Sequence, residues 1–236
     1  MNEFDNTIVL FFNQYSHIST LLDKALVILS SNSLLKGAVI SSLIWWVLFI
    51  NKQDYIRNRQ LIIYTIFSTI LAVTTARILA LILPMRLRPI HDNQINFTIP
   101  YDVQSDLLDG WSSMPSDHAT LFCALSMGLY FASKKIGIFA FFYTIVIICL
   151  PRIYLGLHYP TDIIVGVFIG VSFTYIIVSN SILSSLNKKL LNYSLSHPSA
   201  FYTAVFLFTY QIADMFDTTR ELLKAGHLFF KSVGIY

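Results

Sequence analysis

Apolar residues along this chain run in blocks rather than in alternation. Six blocks stand out, at about residues 34–50, 61–83, 117–132, 136–150, 163–178 and 200–216, separated by short polar breaks. Blocks of this kind predict helices in lipid, where a crossing takes roughly 17–25 residues. Several are short, so they borrow turns from polar flanks or meet a thinned bilayer. The second is long enough to cross with tilt. Ahead of them, residues 7–29 mix Phe, Leu, Ile and Val with Asn13, His17, Asp23 and Lys24. That mixture predicts an interfacial or re-entrant helix rather than a crossing. No internal repeat or low-complexity tract appears. The expected architecture is a single all-α domain over residues 1–236, an integral membrane bundle of about six transmembrane helices. It opens with an amphipathic N-terminal segment (1–33) and closes with a C-terminal tail (217–236).

Composition agrees with the pattern. Only 12% of the 236 residues are charged, against about 25% for a soluble domain, and the mean hydropathy is +0.63. Aromatic residues reach 15%, which suits lipid-facing and interfacial surfaces, and Trp45, Trp46 and Trp111 read as interface anchors. A formal charge of +3 with no basic stretch interleaved with stacking aromatics excludes a nucleic-acid partner. Cys123 and Cys149 lie inside apolar blocks and read as small core residues, not as a disulfide or metal ligands. The first residues, MNEFDNTIVLFF, lack the basic start of a cleavable signal peptide, so insertion is expected to rely on the internal helices.

Basic residues in short loops set the orientation. Lys52, Arg57 and Arg59, then Lys134 and Lys135, then Lys188 and Lys189 all fall on one side if the six blocks cross. That side is expected to be cytoplasmic. The opposite side receives residues 84–116 and 151–161. Between Pro89 and Ser116 there is no Lys or Arg, but there are Asp92, Asp102, Asp106 and Asp109. These aspartates lack the glycine and glutamate spacing of an EF-hand and read as a solvated loop. Arg86, Arg88 and Arg152 stand on this outer side against the charge trend, which calls for another explanation.

Three clusters supply one. Arg86-Leu87-Arg88-Pro89, Pro115-Ser116-Asp117-His118, and the stretch PRIYLGLHYPTD from Pro151 to Asp162 each sit where a loop meets an expected helix. Together they bring cations, two imidazoles and carboxylates to one membrane face. Arginine grips phosphate oxygens with a planar fork and stays charged. A helix N-terminus adds unpaired N–H donors, with Ser116 placed as the N-cap of the helix that carries His118. One imidazole can attack phosphorus while a second protonates the leaving oxygen and then activates water. A neighbouring carboxylate orients the nucleophile and stabilises the cation it becomes. This inventory suits phosphoryl transfer without a metal or other cofactor.

The clusters resemble the three signature motifs of the type 2 phosphatidic acid phosphatase (PAP2) superfamily of membrane lipid phosphatases, K-x6-R-P, P-S-G-H and S-R-x5-H-x3-D. Arg88-Pro89 matches the end of the first. Pro115-Ser116-Asp117-His118 matches the second with Asp for Gly. Arg152, His158 and Asp162 match the third in spacing, with Pro151 in place of Ser. The resemblance implies that His158 is the nucleophile, that Asp162 orients it, and that His118 is the proton donor. It implies that Arg88, Arg152 and Ser116 bind the phosphoryl oxygens. Leu81 stands where the first motif has Lys. Arg86 is the favoured replacement as a phosphate ligand, with Arg77 second. Asp117 lies beside the phosphate cradle and is expected to turn away or to pair with an arginine.

The form PSDH, and a first motif without its Lys, resemble the bacterial undecaprenyl-diphosphatase branch. The activity this resemblance implies is metal-independent dephosphorylation of a membrane lipid phosphate or diphosphate, undecaprenyl diphosphate first among them, through a phosphohistidine. The expected place is the outer face of a bacterial cytoplasmic membrane. A phosphatidate or phosphatidylglycerol phosphate phosphatase, a lipid phosphotransferase and an anion-binding transporter are the alternatives. The transporter explains the cations but not the His-x3-Asp spacing. Oligomeric state is not legible.

Overall fold

The computed structural model describes residues 2–50, 53–180 and 183–215. Lys52, Phe216, His227 and the expected tail (217–236) lie outside the described residues. Among the described residues, the chain is all-α. The helices are α1 (Glu3–Asn13), α2 (Thr20–Ser31), α3 (Val39–Phe49), α4 (Tyr55–Ile82), α5 (Asp117–Ala132), α6 (Lys134–Tyr143), α7 (Leu150–Tyr154), α8 (Pro160–Ser179), α9 (Ser184–Ser196) and α10 (Pro198–Ala213). Single π-helical turns, Leu34–Ala38 and Thr144–Cys149, lead into α3 and join α6 to α7.

Among the described residues, three helical stretches are long and apolar enough to cross a membrane: Tyr55–Ile82, Lys134–Tyr154 and Pro160–Ser179. The pair Thr20–Ser31 and Leu34–Phe49, bent by 60°, makes a fourth if it is one broken crossing. Helices α5 and α10 have 16 residues each, about 24 Å at the helical rise, shorter than the hydrocarbon layer. The protein is an all-α membrane bundle.

The core gathers Ile40, Ile44 and Leu48 of α3, Ile62 of α4, Phe122, Leu125 and Leu129 of α5, and Ile212 of α10. At its centre α5 packs along α8 and α4. Small residues permit this approach. A methyl group at Gly170 would lie 2.3 Å from the Thr120 carbonyl oxygen, and one at Gly166 2.6 Å from that of Ser116. Hydroxyls stitch the same three helices: Ser68 Oγ and Thr174 Oγ1 are 3.0 Å apart, and Thr174 also donates to the Ala124 carbonyl at 3.2 Å. With few water molecules to satisfy them inside lipid, these groups pair with one another.

Several local expectations change. The N-terminal segment is two helices, not one. The break falls where His17 adopts a left-handed backbone (φ 66°) and Ser19 caps α2. Its polar residues are tethers: Asn13 exchanges hydrogen bonds with the backbone of Thr98 (2.7 and 2.8 Å), and Asp23 accepts from the His17 and Tyr101 amides and the Tyr154 hydroxyl. The basic breaks are also shorter than the pattern suggested. Arg57 and Arg59 lie inside α4, Lys188 and Lys189 lie inside α9, and Ser133 alone separates α5 from α6. Arg59 is fully buried. It donates to the Ser194 carbonyl (2.6 Å) and the Tyr202 hydroxyl (2.7 Å) while its guanidinium sits 4.3 Å over the Tyr55 ring. Its charge is thereby spent on locking α9 and α10 to α4.

Candidate active site

Four backbone-directed bonds draw the three polar clusters together at one end of the bundle. The Ser113 amide donates to the Arg86 carbonyl at 2.9 Å, and the Ile90 amide to the Gly156 carbonyl at 3.0 Å. The Ser116 amide donates to the Asp162 carbonyl at 3.1 Å. Arg88 donates to the Ser112 carbonyl at 3.3 Å. Gly156 lets the third cluster turn back on itself: its φ is +70°, and a methyl there would strike the Phe97 ring at 2.6 Å. The Arg152 carbonyl closes that turn by accepting from the amides of Leu157 and His158.

His158 is buried just before α8. Its Nδ1 is 2.8 Å from the Ser113 carbonyl oxygen. A carbonyl only accepts, so Nδ1 carries the hydrogen and Nε2 presents its lone pair. That lone pair lies 3.5 Å from a terminal nitrogen of Arg88. Burial pushes the His158 imidazole down to about 4, with Asp162 opposing and the Arg88 and Arg152 charges reinforcing the fall. The ring is thus neutral at neutral pH.

Asp162, fully buried, approaches Nδ1 at 3.6 Å, beyond hydrogen-bond reach. Its Oδ2 accepts from the Tyr159 amide at 2.8 Å, closing a capping box at the start of α8, and its Oδ1 takes a 2.5 Å contact from Arg86. The ring is therefore held by a backbone carbonyl, with the carboxylate acting on it through space.

Arg88 is buried, and it donates to the Leu157 carbonyl at 2.5 Å. Burial lowers its pKa, with the Asp162 and Asp117 charges opposing; a guanidinium remains charged regardless. Its Nε, and the hydroxyls of Ser113 and Ser116, are buried with no hydrogen-bond partner among the described residues. Ser116 is the N-cap of α5 by position but its side chain caps nothing. Buried polar atoms left this way are costly, and two hydroxyls and one guanidinium N–H are groups able to donate to phosphate oxygens. Arg152 is buried and reaches Ser30 of α2 at 3.3 Å. His118 stands in the first turn of α5, its ring 6.3 Å from that of Phe122.

The two replacement cations divide differently from the sequence expectation. Arg86 is engaged by two carboxylates, Asp162 at 2.5 Å and Asp5 at 2.6 Å, and lies 4.3 Å over the Tyr159 ring. Both of its terminal nitrogens already face anions, which argues against the phosphate-ligand role. Arg77 pairs with Asp117 at 2.5 Å and lies 5.4 Å over the Trp111 ring. That pairing turns the Asp117 carboxylate toward α4. Asp5, Ser113, Leu157 and Thr161 escaped the sequence reading. Two of them act through backbone carbonyls, which no residue type announces, and Asp5 looks like any acidic residue in a first helical turn.

Comparison with known proteins points the same way. The family model of the PAP2 superfamily matches residues 60–182. Undecaprenyl-diphosphatase BcrC of Bacillus subtilis (strain 168) is 28% identical over 166 residues, covering 67% of this chain and 76% of that protein. No solved structure matches the chain. With its three motifs assembled at one end of a helical membrane bundle, the chain belongs to the PAP2 superfamily and is a membrane lipid phosphatase.

Proposed function

We propose that the protein removes a phosphate from undecaprenyl diphosphate through a phosphohistidine at His158, on the outer face of a bacterial cytoplasmic membrane. The observation that carries the mechanism is the His158 ring. Its Nδ1 is fixed on a carbonyl and its Nε2 points beside Arg88. The substrate reading rests on the likeness to the Bacillus protein and on the PSDH form of the second motif.

In this reading the terminal phosphoryl group sits among Arg88, Ser113 and Ser116, with the Arg152 charge nearby. The Nε2 lone pair attacks phosphorus, the N–P bond forms and the bridging P–O bond breaks. His118 gives its proton to the departing lipid phosphate. Water then attacks the phosphohistidine, losing its proton to His118. Inorganic phosphate leaves and the Nε2 lone pair is restored. Asp162 offsets the positive charge that the ring carries between the two steps. Arg86 holds Asp162, and Arg77 neutralises Asp117 so that no free carboxylate repels the substrate.

The test supplies detergent-purified protein with undecaprenyl diphosphate, phosphatidate or phosphatidylglycerol phosphate, with EDTA present. Phosphate release is expected from the diphosphate above the other two, and is expected to vanish in His158→Ala and His118→Ala. Preference for phosphatidate or phosphatidylglycerol phosphate would overturn the substrate reading. Release that requires an acceptor lipid would make the protein a phosphotransferase, and loss of activity in EDTA would overturn metal independence.

A further inference from the structure

Asp5 lies on α1, 81 residues from Arg86 and 156 from Thr161, yet it is fully buried against both. Its Oδ1 accepts from the Thr161 amide at 3.0 Å, in the first turn of α8, and its Oδ2 accepts from the Thr161 hydroxyl and from Arg86, each at 2.6 Å. Arg86 in turn holds Asp162 and also donates to Thr161 Oγ1 at 2.8 Å. The outer side of α1 carries the exposed Phe4, Leu10 and Phe11. This helix thus turns an apolar face outward and one carboxylate inward.

Charge arithmetic shows what that carboxylate does. Arg86 beside Asp162 alone would form a neutral pair and cancel the negative charge that His158 needs as its ring becomes cationic. Asp5 engages the second terminal nitrogen of Arg86, so the group of three carries a net charge of −1. Arg86 is then free to fix the Asp162 geometry without silencing its charge. A buried ion pair stripped of one partner leaves an uncompensated charge.

We infer that Asp5 is a positioning residue of the active site, which through Arg86 keeps Asp162 both fixed and electrostatically active toward His158. This makes α1 a working part of the catalytic centre. The inference rests on the phosphohistidine reading of the site.

The experiment measures kcat and KM of the full-length protein in detergent on undecaprenyl diphosphate. Asp5→Asn is expected to lower kcat by about tenfold or more while KM stays within about twofold, because charge on the transition state is lost and substrate contacts are kept. Asp5→Asn/Arg86→Gln removes the cancelling cation together with its carboxylate. It is expected to recover kcat over Asp5→Asn, which a merely structural role would not allow. The double variant removes Arg86 together with the Asp5 charge and serves alone if Asp5→Asn does not accumulate. Its kcat should then lie above that of Asp162→Asn. Wild-type kcat in Asp5→Asn, or a double variant as slow as Asp162→Asn, overturns the inference. His158→Ala is run beside them. If it is dead while Asp5→Asn is normal, the role of Asp5 alone fails. If it is active, the phosphohistidine reading fails.

Discussion

His158 shows how burial and one carbonyl set the state of an imidazole. A free imidazole is half protonated near pH 6.5, and a protonated ring has no lone pair for phosphorus. Here burial pushes it down to about 4. The sign for stability follows: between pH 4 and 6.5 the unfolded chain binds a proton at this position that the folded one refuses, so stability falls as pH drops through that window. Labelled-histidine NMR, assigned with His158→Ala, should show a neutral His158 ring at pH 5.5. A ring titrating near its ordinary value would contradict the buried setting. Ser116→Ala removes a hydroxyl from the cradle and should lower kcat/KM by roughly tenfold, the weight of one hydrogen bond to a charged group; an unchanged kcat/KM would remove Ser116 from the site. At this scale the motif residues were legible from type and spacing. The Ser113 carbonyl was not, because a backbone acceptor leaves no trace in the sequence.

Among the elements, α5 and α8 matter most, since one follows Ser116 and carries His118 and the other follows His158 and carries Asp162. Their separation is set by Gly166 and Gly170 against the carbonyls of Ser116 and Thr120. A methyl at Gly170 cannot be absorbed by a rotating side chain, because the obstacle is backbone. Gly170→Ala should therefore push the helices apart, lower the melting temperature and cut kcat; thermal melts and phosphate release check both, and unchanged values would contradict the packing. Two glycines four residues apart in an apolar block are the sequence sign of such close packing. The division of the N-terminal segment was not legible, since hydropathy reports apolar content and not the long-range partners of Asn13 and Asp23. Arg59 misled for a related reason. A cation near a helix start reads as a loop charge until its cage of Tyr55, Tyr202 and Ser194 is seen.

For the whole molecule, the all-α membrane bundle was legible because lipid forces backbone hydrogen bonds inside each segment and leaves long apolar blocks in the sequence. Sidedness has its own check. A cysteine replacing the exposed Asp102, which lines a cavity together with Leu157, should react with a membrane-impermeant maleimide added to intact cells; Cys123 and Cys149 are both buried and give little background. Labelling only after the membrane is opened would invert the orientation. The central claim is the covalent intermediate. Undecaprenyl diphosphate labelled with 32P in its terminal phosphate should, on rapid acid-free quenching, leave an acid-labile, base-stable phosphoryl group on His158, absent from His158→Ala and enriched in His118→Ala only if the first bond cleavage still occurs there. Phosphate release at the normal rate from His158→Ala, or label recovered on any other residue, would contradict the account.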